Sequence, residues 1–151
     1  MPDIRRVSAR GVVLMHDAQG RACIALIHRL KPDSGKPGKL LDYYVTPGGG
    51  VEDGESIPQA AEREIQEELG ICCSAGEELF RRVDAAHDEH ILICSFESGE
   101  FGTGSGPEFT NPREKDGSYI PVLIPLRELS QTALVPEELK ELILTRFCSE
   151  M

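Results

Sequence analysis

The segment from Ser56 to Gly70 constrains the fold more than any other part of the chain, because it carries both the start and the stop signals of a helix. Ser56 is a typical N-cap residue, and Pro58 fits the first turn, where a missing N–H costs nothing. Gly70 is a typical C-terminal stop. These signals predict a helix over residues 57–69. At about 100° per residue, its apolar stripe consists of Ala61, Ile65 and Leu69.

Strand patterns occupy most of the chain on either side of this helix. Apolar and β-branched runs predict strands over residues 4–15, 21–30, 41–47, 71–86, 90–101 and 119–126. The first two strands should form a hairpin, and the sequence HDEH indicates an exposed turn near residues 87–89 rather than a metal site. Predicted loops cover residues 31–39, 48–50 and 102–108, and a second helix covers 136–147. This order predicts an α/β (α+β) fold, with helices against the faces of a mixed sheet.

The length of 151 residues suits a single domain over residues 1–151. The net charge is −10 and the sequence has no run rich in Lys or Arg, which argues against a nucleic-acid polymer as partner. A single nucleotide stays compatible with this charge, because a metal ion can supply the positive charge. The chain shows no signal-peptide core, no apolar run of membrane length and no C-x-x-C pair among its five cysteines. These features predict a cytoplasmic protein with reduced thiols and no membrane partner.

Four glutamates crowd into residues 62–68, with Arg63 as the only positive charge among them. Like charges three or four residues apart on a helix repel by roughly 0.2–0.5 kcal/mol per pair. Glu64, Glu67 and Glu68 share a face beside the apolar stripe, whereas Glu62 has no evident role. A solvated acidic helix is the simplest interpretation, but such helices usually carry lysines as well. Clustered carboxylates next to three glycines suit Mg²⁺, which prefers oxygen ligands, and metal-assisted hydrolysis of a phosphate anhydride.

The segment GGVEDGESIPQAAEREIQEELGI, residues 49–71, resembles the signature of the Nudix hydrolases, G-x5-E-x7-R-E-U-x-E-E-x-G-U, in which U is a bulky aliphatic residue. The matching positions are Gly49, Glu55, Arg63, Glu64, Ile65, Glu67, Glu68, Gly70 and Ile71. The resemblance implies an αβα sandwich with a mixed central sheet. It also implies an enzyme that hydrolyses a nucleoside diphosphate linked to another moiety, with Mg²⁺ or Mn²⁺ as cofactor.

The resemblance further implies roles for individual glutamates. Glu67 and Glu68 would be the main metal ligands, helped by Glu64 and by the carbonyl of Gly49. The general base varies within the family, and Glu64 is our candidate inside the signature. Glu108 in the late loop is the competing candidate for that role and a further metal ligand, although an ordinary loop carboxylate explains Glu108 as well.

The remaining expected roles concern positioning and substrate binding. Arg63 would orient a glutamate, and Glu55 would brace the loop before the helix. An arginine could hold a phosphate and an aromatic ring could stack on a base, although surface charge and strand packing explain the same residues. The substrate-binding candidates are Arg6, Arg29, Tyr44, Gly48 and Gly49.

The substrate itself stays open at this point. A nucleoside triphosphate, including an oxidised one, is the first expectation, because the chain is short and has no added recognition domain. A dinucleoside polyphosphate, ADP-ribose or a nucleotide sugar would use the same site chemistry. A nucleotide-binding regulatory module without turnover is the alternative from another class. Such a module would be expected to have lost the carboxylates of the signature, whereas this sequence contains all of them. A homodimer is expected from the family alone.

Overall fold

The computed structural model describes residues 5–105 and 117–151. Within these ranges the strands are β1 (Arg6–His16), β2 (Ala22–Pro32), β3 (Leu40–Val45), β4 (Gly48–Gly50), β5 (Ile71–Val83), β6 (His87–Gly99) and β7 (Ser118–Pro125). The α-helices of the described residues are α1 (Ile57–Leu69) and α2 (Glu137–Arg146). In the same ranges, two short 3-10 helices cover Leu126–Gln131 and Cys148–Glu150.

Helix α1 has the bounds that the sequence predicts. The Ser56 hydroxyl accepts a hydrogen bond from the Gln59 N–H at 3.2 Å, and the Gln59 side chain accepts one from the Ser56 N–H at 2.9 Å. This reciprocal pair is a capping box, which satisfies two backbone donors at the helix start. Gly70 ends the helix in a left-handed conformation with φ of 78°. The predicted apolar stripe is fully buried: Ala61, Ile65 and Leu69.

In the described part of the chain, the strands form one mixed sheet with the order β3-β2-β1-β6-β5, with β4 paired to β1 and β7 paired to β2. β1 and β6 are parallel, and the other pairs are antiparallel. The predicted hairpin of β1 and β2 is present, with Leu14 opposite Ile24. β4 lies on β1 with Gly49 opposite Ala9, and its glycines lie beside α1, where Gly49 approaches the Glu64 carboxylate.

Buried clusters cover both faces of the sheet, which confirms the αβα sandwich. Neighbouring residues of β1 point to opposite faces: Val13 packs in the cluster that contains Ile65 of α1, and Val12 in the cluster that contains Leu139 and Ile143 of α2. Full burial of an aliphatic side chain of this size contributes roughly 1.5–3 kcal/mol. The sheet therefore fixes α1, and with it the acidic face, through the apolar stripe.

Three local predictions are wrong, because strand pairing overrides turn and loop signals. Gly48–Gly50 is strand β4 rather than a loop, since pairing with β1 satisfies its backbone groups. Strand β2 continues through Lys31 and Pro32, where a loop was expected. Residues 87–89 begin β6, so the HDEH turn is not formed there. Asp88 is only 7% exposed, and it accepts hydrogen bonds at 2.9 Å from two nitrogens of Arg81, which makes its burial tolerable.

The cysteines are free thiols, as the composition predicts. Cys23, Cys73 and Cys94 are buried, whereas Cys72 and Cys148 are exposed. Across residues 5–105 and 117–151, no helix has the length and apolar character needed to cross a lipid bilayer.

Candidate active site

A cavity of about 410 Å³ lies where β4 meets α1. Its polar side chains are three arginines, two tyrosines and two glutamates: Arg6, Arg10, Arg29, Tyr43, Tyr119, Glu64 and Glu68. The glycines of β4 and two aliphatic residues complete the lining. Guanidinium groups suit phosphates, and carboxylates suit a hard cation. The cavity thus offers both kinds of group side by side.

Glu68 is the most deeply buried glutamate of this cavity. The residue is 8% exposed, and its Oε2 accepts a hydrogen bond from the Gly48 N–H at 3.1 Å. A buried carboxylate is unfavourable unless it is hydrogen-bonded. This bond joins the last turn of α1 to the first residue of β4, and it holds the carboxylate against the glycine strand.

Glu64 explains why position 49 is a glycine. An ideal Cβ on Gly49 would lie 2.7 Å from the carboxyl carbon of Glu64 and 2.8 Å from each of its oxygens. The carboxylate therefore occupies the space that any larger residue at position 49 would need. The same carboxylate accepts a hydrogen bond from Nη1 of Arg63 at 3.0 Å.

Arg63 of α1 connects the helix to strand β4 and to the loop between them. It donates to both oxygens of Glu55, at 2.7 and 3.0 Å, and to the Gly50 carbonyl at 3.0 Å. The hydrogen bonds with Glu55 raise the pKa of the Arg63 guanidinium above its ordinary value, and they lower the pKa of the Glu55 carboxyl. Glu55 also accepts from the Glu52 N–H at 3.0 Å, so it ties the loop to Arg63.

Glu67 lies outside the cavity lining. Its side chain is 39% exposed, and both of its oxygens lie 3.4 Å from Nη1 of Arg63. Glu64 contacts the same nitrogen at 3.0 Å. Among the described residues, no group of three or more His, Cys, Asp or Glu side chains is placed to hold a metal ion.

The chemistry of the cavity nevertheless fits a hard divalent cation. Glu64 and Glu68 both line it, and the absence of a side chain at Gly49 leaves room for the oxygens of Glu64. Mg²⁺ commonly takes only one or two protein carboxylates and completes its coordination with water and substrate phosphates. Glu64 and Glu68 are therefore sufficient protein ligands for such a cation. Glu67 lies about one helical turn from Glu64 on α1.

Arg29 forms a row of planar side chains with Tyr43 and Tyr119 in the lining of the cavity. Tyr43 of β3 and Tyr119 of β7 are both directly opposite Arg29 of β2. The guanidinium lies 3.7 Å from the centre of the Tyr119 ring and 6.0 Å from that of Tyr43, and its Nε donates to the Ser118 carbonyl at 3.1 Å. The row gives the cavity one cationic and two aromatic surfaces. Arg6, also a predicted phosphate ligand, lines the cavity as well and is exposed.

Tyr44 is not placed at the cavity. It stacks on His28 with ring centroids 4.5 Å apart, and it packs against the cluster on the α2 face of the sheet. Tyr43 takes the position expected of Tyr44, because alternate residues of a strand point to opposite faces. The sequence would distinguish Tyr43 from Tyr44 only if the orientation of another residue of β3 were known, because the alternation along the strand could then be counted from that residue.

Arg10 and Glu62 are contributors that sequence reasoning missed. Arg10 donates to the Thr46 carbonyl at 2.8 Å and to Glu89 at 3.3 Å, and it lines both the main cavity and a neighbouring cavity of about 260 Å³. Glu62 accepts a hydrogen bond from the Ala75 N–H at 2.9 Å, which ties α1 to β5. Both depend on strand neighbours that no local pattern indicates.

Glu108, the competing candidate for the general base, lies outside the described residues. Gly48 lies in the cavity lining beside Glu68.

Comparison with known proteins agrees with this architecture. The family model of the NUDIX domain matches residues 5–143. No curated protein matches the chain. Among solved structures, the ORF135 protein of E. coli is 20% identical, with 96% of this chain and 94% of that chain covered and a TM-score of 0.59. The MutT protein from Methanosarcina mazei Go1 is 15% identical, with 99% and 97% covered and a TM-score of 0.60. An ADP-ribose pyrophosphatase from Streptococcus suis is 16% identical, with 97% and 94% covered and a TM-score of 0.61. At these identities the structural likeness concerns the fold alone.

Proposed function

The chain belongs to the Nudix hydrolase family, enzymes that act on phosphoric anhydride bonds, and within that family we propose that its substrate is a nucleoside diphosphate linked to a second moiety. The observation that carries the proposal is one cavity lined by Glu64 and Glu68 together with Arg6 and Arg29. Cleavage of a phosphate anhydride needs charge stabilisation of the phosphates and an activated water. The two carboxylates and two guanidiniums are suited to these two tasks.

Glu64 and Glu68 would hold the divalent cation, Mg²⁺ or Mn²⁺, with the Gly49 carbonyl and Glu67 as further ligands. When bound, the cation supplies neutralisation of the phosphates and a lowered pKa for a bound water. Glu67 would join by turning away from Arg63, to which it is joined only by contacts of 3.4 Å. Arg63 would then hold Glu64 and the β4–α1 loop in place through Gly50 and Glu55.

Glu64 is also our candidate for the general base. Its carboxylate faces the cavity next to Gly49, where a water beside the bound phosphates would lie within reach. A general base must come within hydrogen-bonding distance of the proton that it removes. Glu108 is the second candidate, and Glu64→Gln and Glu108→Gln distinguish the two, since loss of the true base lowers kcat and flattens the acidic limb of the pH profile.

Arg6 and Arg29 would bind the phosphates, and the rings of Tyr43 and Tyr119, which flank Arg29, would receive the base. Planar rings and guanidiniums stack on nucleobases, and an aromatic contact of this kind contributes about 1–3 kcal/mol per base. Stacking tolerates different bases, because each has a π-face. The proposal therefore includes a broad base tolerance.

A nucleoside triphosphate, including an oxidised one, is the proposed first substrate, acted on as a free nucleotide in the cytoplasm by a monomer or homodimer. ADP-ribose, a nucleotide sugar or a dinucleoside polyphosphate is the second candidate. The neighbouring cavity favours it, because a second moiety could extend past Arg10 and Val45, the two residues that line both cavities. The overall charge of −10 disfavours a nucleic-acid polymer.

The test is a nucleotide panel with identification of products. Each compound is incubated with protein and Mg²⁺, and the products are separated by chromatography. Triphosphates release pyrophosphate and a monophosphate, whereas ADP-ribose releases AMP and ribose phosphate. Glu68→Gln should lose on the order of 100-fold or more in kcat/KM. The control is Glu141→Gln on the exposed surface of α2. A wild-type protein that binds nucleotides but hydrolyses none of them would instead be a regulatory module.

A further inference from the structure

Residues 102–105 are docked on the C-terminal end of α1, the end that carries Glu67 and Glu68. The Ser105 N–H donates to the Glu67 carbonyl at 2.8 Å, and the Gly102 N–H donates to the Leu69 carbonyl at 2.9 Å. The last carbonyls of a helix have no partner within the helix. A segment more than thirty residues further along the chain thus supplies the hydrogen bonds that the helix end lacks.

Gly104 lies against the backbone of α1 in this contact. An ideal Cβ on Gly104 would lie 2.2 Å from the Glu68 carbonyl oxygen and 2.6 Å from that of Glu67. Ordinary contacts to Cβ begin at 3.4 Å. The obstructing atoms belong to the backbone of α1, so they cannot rotate away as a side chain can. Any residue larger than glycine at position 104 would separate the segment from the helix end or displace that end.

We propose that residues 102–105 position Glu67 and Glu68 for cation binding, with Gly104 as the positioning residue. The inference rests on the proposed function, since it assigns a purpose to the placement of these two carboxylates. Glu68 is fixed at two points, by its main chain against Gly104 and by its carboxylate on the Gly48 N–H. A displacement of the helix end by a fraction of an ångström would therefore alter the position of the Glu68 carboxylate relative to β4.

The direct test measures the binding of Mn²⁺ to the Gly104→Ala protein without nucleotide, by electron paramagnetic resonance. Loss of a group that orients metal ligands typically lowers metal affinity by about 10–100-fold, and we expect a change of this size. With nucleotide, kcat should fall while KM changes little, because Arg6 and Arg29 are untouched. The matched control is Gly35→Ala, because Gly35, like Gly104, has no positive φ and its added methyl group would make only an ordinary contact of 3.6 Å with Oδ1 of Asp33, and it should bind Mn²⁺ as the wild type does.

A second measurement needs no variant. Amide hydrogen exchange of the wild type should show slow exchange at Gly102 and Ser105, because both N–H groups are bonded to α1. Exchange of both amides at the rate of an open chain would overturn the inference, as would a Gly104→Ala protein with unchanged Mn²⁺ affinity and kcat. In either case the wild-type enzyme would still hydrolyse nucleotides, so the proposed function would stand. A wild type that binds no Mn²⁺ and hydrolyses no nucleotide would overturn both.

Discussion

Replacement of Gly49 by alanine should remove most of the activity while leaving the fold intact. The new methyl group would lie 2.7–2.8 Å from the atoms of the Glu64 carboxyl group, where ordinary contacts begin at 3.4 Å. The carboxylate would therefore move by roughly 0.6–0.7 Å, which is the distance needed to restore an ordinary contact. Because the group ends a flexible side chain, the carboxylate takes up this movement and the backbone stays in place.

The expected magnitudes differ sharply for rate and stability. A misplacement of about 1 Å can lower a rate about 100-fold, so a shift of this size should lower kcat by a factor on the order of 10–100. Gly49 does not have a positive φ, so alanine is compatible with its backbone conformation. A compatible Gly-to-Ala change alters the free energy of unfolding by only about 0.4–1 kcal/mol, in the stabilising direction.

The assay combines steady-state kinetics with urea unfolding of the wild type, Gly49→Ala and Gly50→Ala. Gly50 is the matched control, because it is the next residue of β4 and its ideal Cβ would be 3.7 Å from the nearest atom, Nη2 of Arg6. That distance is an ordinary contact, so Gly50→Ala should keep most of the activity. A Gly49→Ala enzyme that is as active as Gly50→Ala would refute the reasoning.

A double-mutant cycle tests whether the effect passes through Glu64. If alanine at position 49 acts only by displacing that carboxylate, the double variant Gly49→Ala/Glu64→Gln should be no slower than Glu64→Gln alone. Losses that simply add would mean that Gly49 acts by another route, and the explanation from the close approach would fail.

Three further predictions concern the contacts around α1. Arg63→Lys removes the two-pronged contact with Glu55 and should lower kcat/KM about 10–100-fold in steady-state kinetics, whereas Arg21→Lys, at a hairpin ion pair remote from the cavity, should leave it unchanged. The Glu55 carboxyl has a pKa below its ordinary value, so its contribution to stability is complete above the unfolded-state pKa near 4.5 and is lost as pH falls through the folded-state pKa. Urea midpoints of the wild type and Glu55→Gln should therefore differ at pH 6 and converge at acidic pH. Glu62→Ala should lower the free energy of unfolding by about 1 kcal/mol through loss of its bond to the Ala75 N–H, and unchanged urea stability would contradict that role.

Helix α1 and the family could be predicted from the sequence because their signals are local. Ser56 and Gly70 act within one turn of the helix that they begin and end. The period of the helix places Glu64 and Glu68 on one face as soon as Ile65 is assigned to the core. No information about distant residues was needed for these steps, and each of them agrees with the structure.

The groups opposite α1 could not be predicted, because strand register decides them. A shift of one residue moves every side chain of a strand to the other face, which is why Tyr43 rather than Tyr44 lines the cavity. Tyr119 meets Arg29 only because β7 pairs with β2. The wrong prediction of a turn at residues 87–89 has the same origin. Asp88 is typical of a turn in the sequence, but in the structure it pairs with Arg81 of the neighbouring strand.

The crowding of glutamates on α1 is resolved by their partners. The hydrogen bonds join Glu62 to the Ala75 N–H, Glu64 and Glu67 to Arg63, and Glu68 to the Gly48 N–H. A hydrogen bond to a charged group contributes about 1.5–3 kcal/mol, against roughly 0.2–0.5 kcal/mol of repulsion per like-charged pair. Glu62 and Glu68 are bound to neighbouring strands, so they help to hold α1 on the sheet. Glu67 has only 3.4 Å contacts to a guanidinium that is already shared. It is therefore the glutamate that a divalent cation can recruit with the least loss of existing bonding.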